Sequence, residues 1–185
     1  MTRFPLEKYA SLELNQVAFP KTGMVVSQTP LGSAFTAVAP CENGMWVVAD
    51  KSAGVIKAPA AVTDKPIGIV YTAEKEYDNS QFGLKNHCNV AGDYPRVGIL
   101  GLGDTVTTNC FQYNESTYAT MTALETALNG IDATHPMYVY AIANSPVPAI
   151  ATSLPASYNG IYGKVVKYYT VPNGEKAIKY EIVNI

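Results

Sequence analysis

The chain has 185 residues, 13 basic and 15 acidic, for a formal net charge of −2. That length holds one domain with a core that needs no staples, and the near-neutral balance excludes a basic stripe for nucleic acid and an acidic tail. Only 15% of residues are charged and Tyr (13) far outnumbers Phe (5), a composition suited to half-buried strands and to surface covered by a partner.

Three cysteines at irregular positions, Cys41, Cys88 and Cys110, form no disulfide framework and are expected as free thiols in a reducing cytoplasm. The opening MTRFPLEKYASLEL has no apolar signal core. No run reaches the ~18 apolar residues that a membrane helix needs. A soluble protein, made in a cytoplasm and without a membrane partner, is the expectation.

Residues 1–30 are expected as an extended N-terminal arm, and residues 31–185 as a single mainly-β domain. Pro5, Pro20 and Pro30 punctuate the arm and favour extended chain before each of them. Ordering about 20 such residues costs roughly 20–40 kcal/mol. Phe4, Leu6, Tyr9, Leu12, Leu14, Val17 and Phe19 must therefore bury somewhere, on the chain's own body or on a neighbouring subunit. Met24–Ser27 reads as a short strand.

Met45–Val48 reads as a strand with Trp46 and Val48 on one face and Met45 and Val47 on the other. Asp50–Gly54 is a turn, with Gly54 at a positive-φ position. Val55–Lys57 and Ile67–Tyr71 complete a three-stranded meander, the seed of a small β-barrel or sandwich. Residues 72–80 are polar loop, and Phe82–Val90 a short strand. Arg96–Leu100 and Thr105–Phe111 read as a hairpin around Gly101–Asp104. The spacing of Met121, Leu124 and Leu128 predicts a helix near 117–129, capped by Ser116 or Thr117 and stopped at Gly130. Met137–Ile142 is a strand, and residues 144–160, with three prolines, a loop. Residues 161–185 form a C-terminal hairpin around Pro172-Asn173-Gly174, with Ile178, Tyr180 and Ile182 on one face.

Nothing linear points to chemistry, and no enzyme activity and no cofactor are expected. Gly98–Gly103 is glycine-rich, but strand-like residues follow it where a phosphate loop needs a helix. His87-Cys88 with Cys41 and Cys110 lacks the spacing of a zinc site. Asp50, Asp64, Asp93 and Asp104 each sit beside turn formers, and turn chemistry accounts for all four.

Glu42-Asn43-Gly44-Met45, the segments Val48-Ala49-Asp50 and Gly54-Val55-Ile56, and Lys65-Pro66-Ile67-Gly68-Ile69 follow one another in an order that resembles capsid decoration (head-stabilising) proteins of tailed bacteriophages. Gly92–Gly98 and Gly103–Asn109 are similar to segments of larger phage head proteins, so the resemblance covers residues 40–115. It implies a small β-barrel or sandwich, β-tulip-like, that binds and stabilises the outer surface of a capsid. The implied partner is the major capsid protein lattice, the implied state a homotrimer, and the implied location the virion surface after synthesis in the host bacterial cytoplasm. It also implies an N-terminal arm that adds a strand to the capsid subunit, which would make Phe4, Leu6, Tyr9, Leu12, Leu14, Val17 and Phe19 the partner-binding residues. Rival expectations are a tail, baseplate or head-fibre component, a carbohydrate-binding β module displaying coplanar Tyr or Trp46, and a small enzyme around His87 or His135.

Overall fold

The computed structural model describes residues 1–6, 8–12, 17–19, 25–26, 29–72, 87–172 and 174–185. Among these the chain forms thirteen β-strands and one α-helix, the mainly-β architecture with a short helix that the sequence predicts. β1 (Thr2–Arg3), β2 (Val17–Ala18) and β3 (Val25–Val26) come from the N-terminal segment. β4 (Trp46–Asp50), β5 (Val55–Lys57), β6 (Ile67–Val70), β7 (Val97–Ile99), β8 (Thr105–Thr108) and β9 (Gln112–Tyr113) precede helix α1 (Met121–Asn129). β10 (Tyr138–Ile142), β11 (Ser145–Ala151), β12 (Tyr162–Thr170) and β13 (Lys176–Asn184) follow it. They pair into an eight-stranded sheet, β1-β9-β11-β10-β12-β13-β8-β2, and a five-stranded sheet, β3-β7-β6-β4-β5.

The alternation of β4 fixes how the sheets stack. Trp46 and Val48 enter the main core with Ile67, Ile69, Val106, Val139, Val165, Ile178, Tyr180 and Ile182. Met45 and Val47 point the other way, into a second core with Ala10, Leu31, Phe35, Ile56, Val70 and Val97. The five-stranded sheet is thus buried on both faces, which is why all four residues of β6 are inaccessible. Trp46 crosses the main core to donate its indole N–H to Tyr180 Oη at 3.0 Å. Both side chains are almost fully buried, and the bond satisfies two polar atoms that burial would otherwise penalise.

Several elements differ from expectation. β7 and β8 do not form a hairpin: β7 pairs with β6 and β3, while β8 pairs with β13 and β2. The turn at Gly101–Asp104 carries the chain between sheets and is tied to β13 by Gly103 N–H to Ile182 O (2.8 Å) and Ile182 N–H to Asp104 O (2.8 Å). The strands of the expected meander are present, but β4 lies between β5 and β6, and the loop after β5 carries the chain across to the far side of β4. Residues 145–151, expected as loop, form β11. Pro146 and Pro148 offer no N–H to a ladder, and the β10–β11 register shifts between Tyr140 and Ile142 where they run alongside. The helix starts at Met121, not near 117. Thr120, in extended backbone, caps it by accepting from Ala123 N–H, while Asn114 organises a separate turn over Ser116–Tyr118. Its buried residues are Leu124 and Leu128. The hairpin of β12 and β13, with Ile178, Tyr180 and Ile182 inward, is as read from the sequence.

The N-terminal segment is built into both sheets. β1 pairs with β9, β2 with β8 and β3 with β7. At the remaining edge, β5, Ile56 N–H donates to Pro30 O (2.8 Å) and Gly32 N–H to Ile56 O (2.9 Å). Every edge that the longer strands leave open is therefore lined by one of the stretches 2–3, 17–18, 25–26 and 30–32. Such short edge strands leave little ladder for a foreign strand to extend.

Because Leu12 is 1% exposed in the main core, Leu12→Ala is expected to cost about 2–5 kcal/mol in urea unfolding. A loss below about 0.5 kcal/mol would mean that the segment does not pack on its own body in solution.

Candidate interaction surface

The seven arm residues proposed as partner contacts fall into different environments. Phe4 (4% exposed) and Leu12 (1%) are members of the main core. Phe4 stacks on Phe111 with ring centroids 4.5 Å apart. Leu6, Val17 and Phe19 are partly buried against that core. Phe19 lies over Gly98, where an added Cβ would collide with its ring, and beside Tyr71 at 5.6 Å. Tyr9 is half-buried, and Leu14 lies outside the described residues. Phe4, Leu6, Leu12, Val17 and Phe19 are engaged by the chain's own body, so these five do not form a free apolar stripe for a partner.

Polar side chains hold the segment in place. Glu42, 8% exposed, accepts from both terminal nitrogens of Arg3 (3.2 and 3.0 Å) and from Ala10 N–H (2.7 Å). Asn109 Oδ1 accepts from Ser11 N–H (2.6 Å), and Glu175 accepts from Ser11 Oγ (2.7 Å) and Asn109 Nδ2 (3.0 Å). A carboxylate at this burial persists because its oxygens are paired with charge and amide donors.

The aspartates named in the sequence act in turns. Asp50 accepts from Ser52 and Ala53 N–H and pairs with Lys57 at 2.7 Å. These donors, Lys57 foremost, hold its carboxyl well below the usual range. Asp64 accepts from Ala60 and Ala61 N–H, Asp93 from Val90 N–H, and Asp104 from Gly101 N–H. Gly54 has φ +67, as its turn requires. No group of three His, Cys, Asp or Glu among the described residues is placed to hold a metal ion. Cys41, Cys88 and Cys110 are free. Burial pushes the Cys110 thiol up to about 12, with the Arg3 charge opposing the shift.

Trp46 is core, so it displays no face to a sugar. Tyr138, Tyr162, Tyr158 and Tyr140 form a chain of ring contacts at 5.5–6.3 Å, but the rings meet edge-on at 68–82° and present no coplanar platform. A shallow cleft of about 390 Å³ runs past Tyr140, Tyr158 and Pro155. A second, of about 530 Å³, lies between Arg3, Phe35, Met45 and Val147, beside Val38, which is 94% exposed at a loop tip.

The outer face of β12 and β13 escaped the sequence reading. Inward residues Val165, Tyr168, Ile178, Tyr180 and Ile182 alternate with outward Lys164, Lys167, Tyr169, Lys179 and Glu181. Lys167 and Lys179 are directly opposed across the ladder, and Lys164 faces Glu181. The signal was linear: residues 162–185 hold four Lys and two Glu, while residues 97–163 hold no Lys or Arg at all. No family model, curated protein or solved structure matches this chain.

Removal from water pushes the Tyr158 hydroxyl, which donates to Ala141 O, up to about 12. A raised folded-state value means that the neutral phenol stabilises the fold in full below about pH 10, where the unfolded tyrosine starts to ionise. That contribution is lost as pH climbs from about 10 through about 12. Stability measured against pH should therefore fall over this window, and Tyr158→Phe should reduce the slope while costing about 1 kcal/mol at neutral pH. An identical alkaline slope in the variant would remove Tyr158 from this account.

Proposed function

We propose that the protein is a structural component of a phage virion, one that binds and stabilises the outer surface of the capsid and catalyses nothing. The observation that carries this reading is that the segments resembling capsid decoration proteins form one continuous unit. Glu42–Met45 turns into β4, and β5 and β6 flank β4 through the Asp50 turn and the Pro66 loop. A further support is that each aspartate braces a turn through amides close in sequence, including Asp50 and Asp64, which line one cleft with Lys57. The charge-poor, Tyr-rich composition also suits a protein with much of its surface covered by neighbours.

In this reading the partner is the assembled major capsid protein lattice, and the protein acts as a homotrimer at the virion surface. Binding the lattice and not its separate subunits stabilises the lattice by mass action. A trimer that grips three sites gains avidity without new contacts. Since Phe4 and Leu12 belong to the core, docking uses the assembled body, and strand donation by a free arm is not part of the proposal.

Co-sedimentation of the purified full chain with matured, empty capsids of its own phage tests the proposal. Saturable binding and capsids that resist heat better when decorated are expected. Failure to bind at any protein concentration, with stable rings or fibres formed instead, would overturn it in favour of a tail or fibre component.

A further inference from the structure

We propose that the outer face of β12 and β13 is a self-association surface that receives the acidic, helix-bearing end of a second copy of this chain. The inference concerns contact between copies and deepens only the oligomer part of the function proposed above.

The charges of this molecule are segregated. Residues 162–185 carry a net +2, and the rest of the chain a net −4. Between Arg96 and Lys164 the 67-residue stretch holds four Asp or Glu and no Lys or Arg; its one basic side chain, His135, lies 3.1 Å from Asp132. On the basic side, Lys167 and Lys179 are cross-strand partners. Like charges directly opposed on an antiparallel ladder repel, and no ion pair among the described residues relieves either one. The Lys167 ammonium rests only on the Tyr169 ring, 5.2 Å from its centroid. Apolar surface lies on the same hairpin: Val166 at the bulge is 55% exposed and Val183 42%.

The acidic side is the region around α1. Glu115 and Asp132, on the loops before and after the helix, are both exposed. Asp132 accepts from Thr134 Oγ1 and from the Thr134 and His135 amides, which hold its carboxyl well below the usual range and keep it ionised.

Among the described residues no ion pair joins the outward lysines to the helix end within one molecule. Helix α1 packs on the inner side of the eight-stranded sheet, where Leu124 and Leu128 join the core and Glu125 accepts from Tyr168 Oη at 2.8 Å. Lys167 and Tyr169, one residue to either side of Tyr168, face the opposite way. The sheet therefore stands between the helix and the outward lysines, and their charges are open to another copy. Because each copy offers one of each, the contact is head-to-tail, and it propagates until it closes or extends. A polyanion is a poorer occupant, because the chain as a whole is negative and would be repelled by it.

Sedimentation velocity of the full chain tests this without any capsid present. At about 0.05 M salt, species heavier than the monomer are expected; at about 0.5 M, where screening is strong, they should dissociate. Lys167→Glu with Lys179→Glu, and separately Glu115→Lys with Asp132→Asn, should each weaken association at least about tenfold. Asn at 132 keeps the turn acceptor, and unchanged circular dichroism confirms that each variant folds. Mixing the two variants should restore assembly, because each altered face then meets its new complement. A monomer at both salt levels overturns the inference, as does association that survives high salt and both variants. It is also overturned if the free protein stays monomeric while Lys167→Glu with Lys179→Glu loses capsid binding, which would assign this face to the lattice. Capsid binding with a monomeric free protein and an inert face would sink this inference and leave the decoration reading standing.

Discussion

Two open sheets in one small chain present four edges, and the fold depends on closing them. Each edge is a row of backbone donors and acceptors ready to pair with any passing strand. The N-terminal segment lines β9, β8 and β7 with two-residue strands. It then runs past β5 through Pro30–Gly32. Proline in such a segment suits this task, since it favours extended chain before it and offers no donor of its own. The body and the segment are thus mutually dependent: the sheets give the segment its partners, and the segment ends the sheets.

Buried polar groups set the path of that segment, and apolar packing stabilises it. Glu42 fixes where β1 and Ala10 lie, and Asn109 with Glu175 fixes Ser11. Such ties specify one register along an edge that otherwise tolerates slippage. Phe4 and Leu12 then supply the burial that offsets the entropy of ordering. The Trp46–Tyr180 bond does the same between sheets, since an indole and a phenol in the core are tolerated only in a geometry that pairs them.

Much of the fold was legible in local pattern. The alternation in Met45–Val48 correctly assigned each residue to its side of the sheet, and the Asn-Gly turn located the final hairpin. Turn chemistry at Asp50, Asp64, Asp93 and Asp104 was readable because each aspartate bonds amides within four residues. What was not legible is non-local. Gly101–Asp104 has the same turn residues whether the chain doubles back or changes sheets, and only contact with Ile182 decides between them. β11 was obscured because a register shift beside it lets an interior strand carry prolines that a regular ladder excludes. The apolar spacing of Phe4 and Leu12 says that they bury but not on which surface. The proposed association face required knowing that Lys167 and Lys179 become cross-strand neighbours, a fact of register and not of either strand alone.

The central claim is that the described stretches of residues 1–32 are part of the folded body. Native-state hydrogen exchange resolved by residue tests it most directly, because the relevant amides have identified acceptors. The Phe4, Ala10, Ser11 and Gly32 N–H groups donate to Phe111 O, Glu42, Asn109 and Ile56 O. The account predicts that they exchange as slowly as the amides of β13, opening only with the whole fold. Exchange at the rate of unstructured chain at these four positions, while β13 stays protected, would contradict it and return the segment to a free arm.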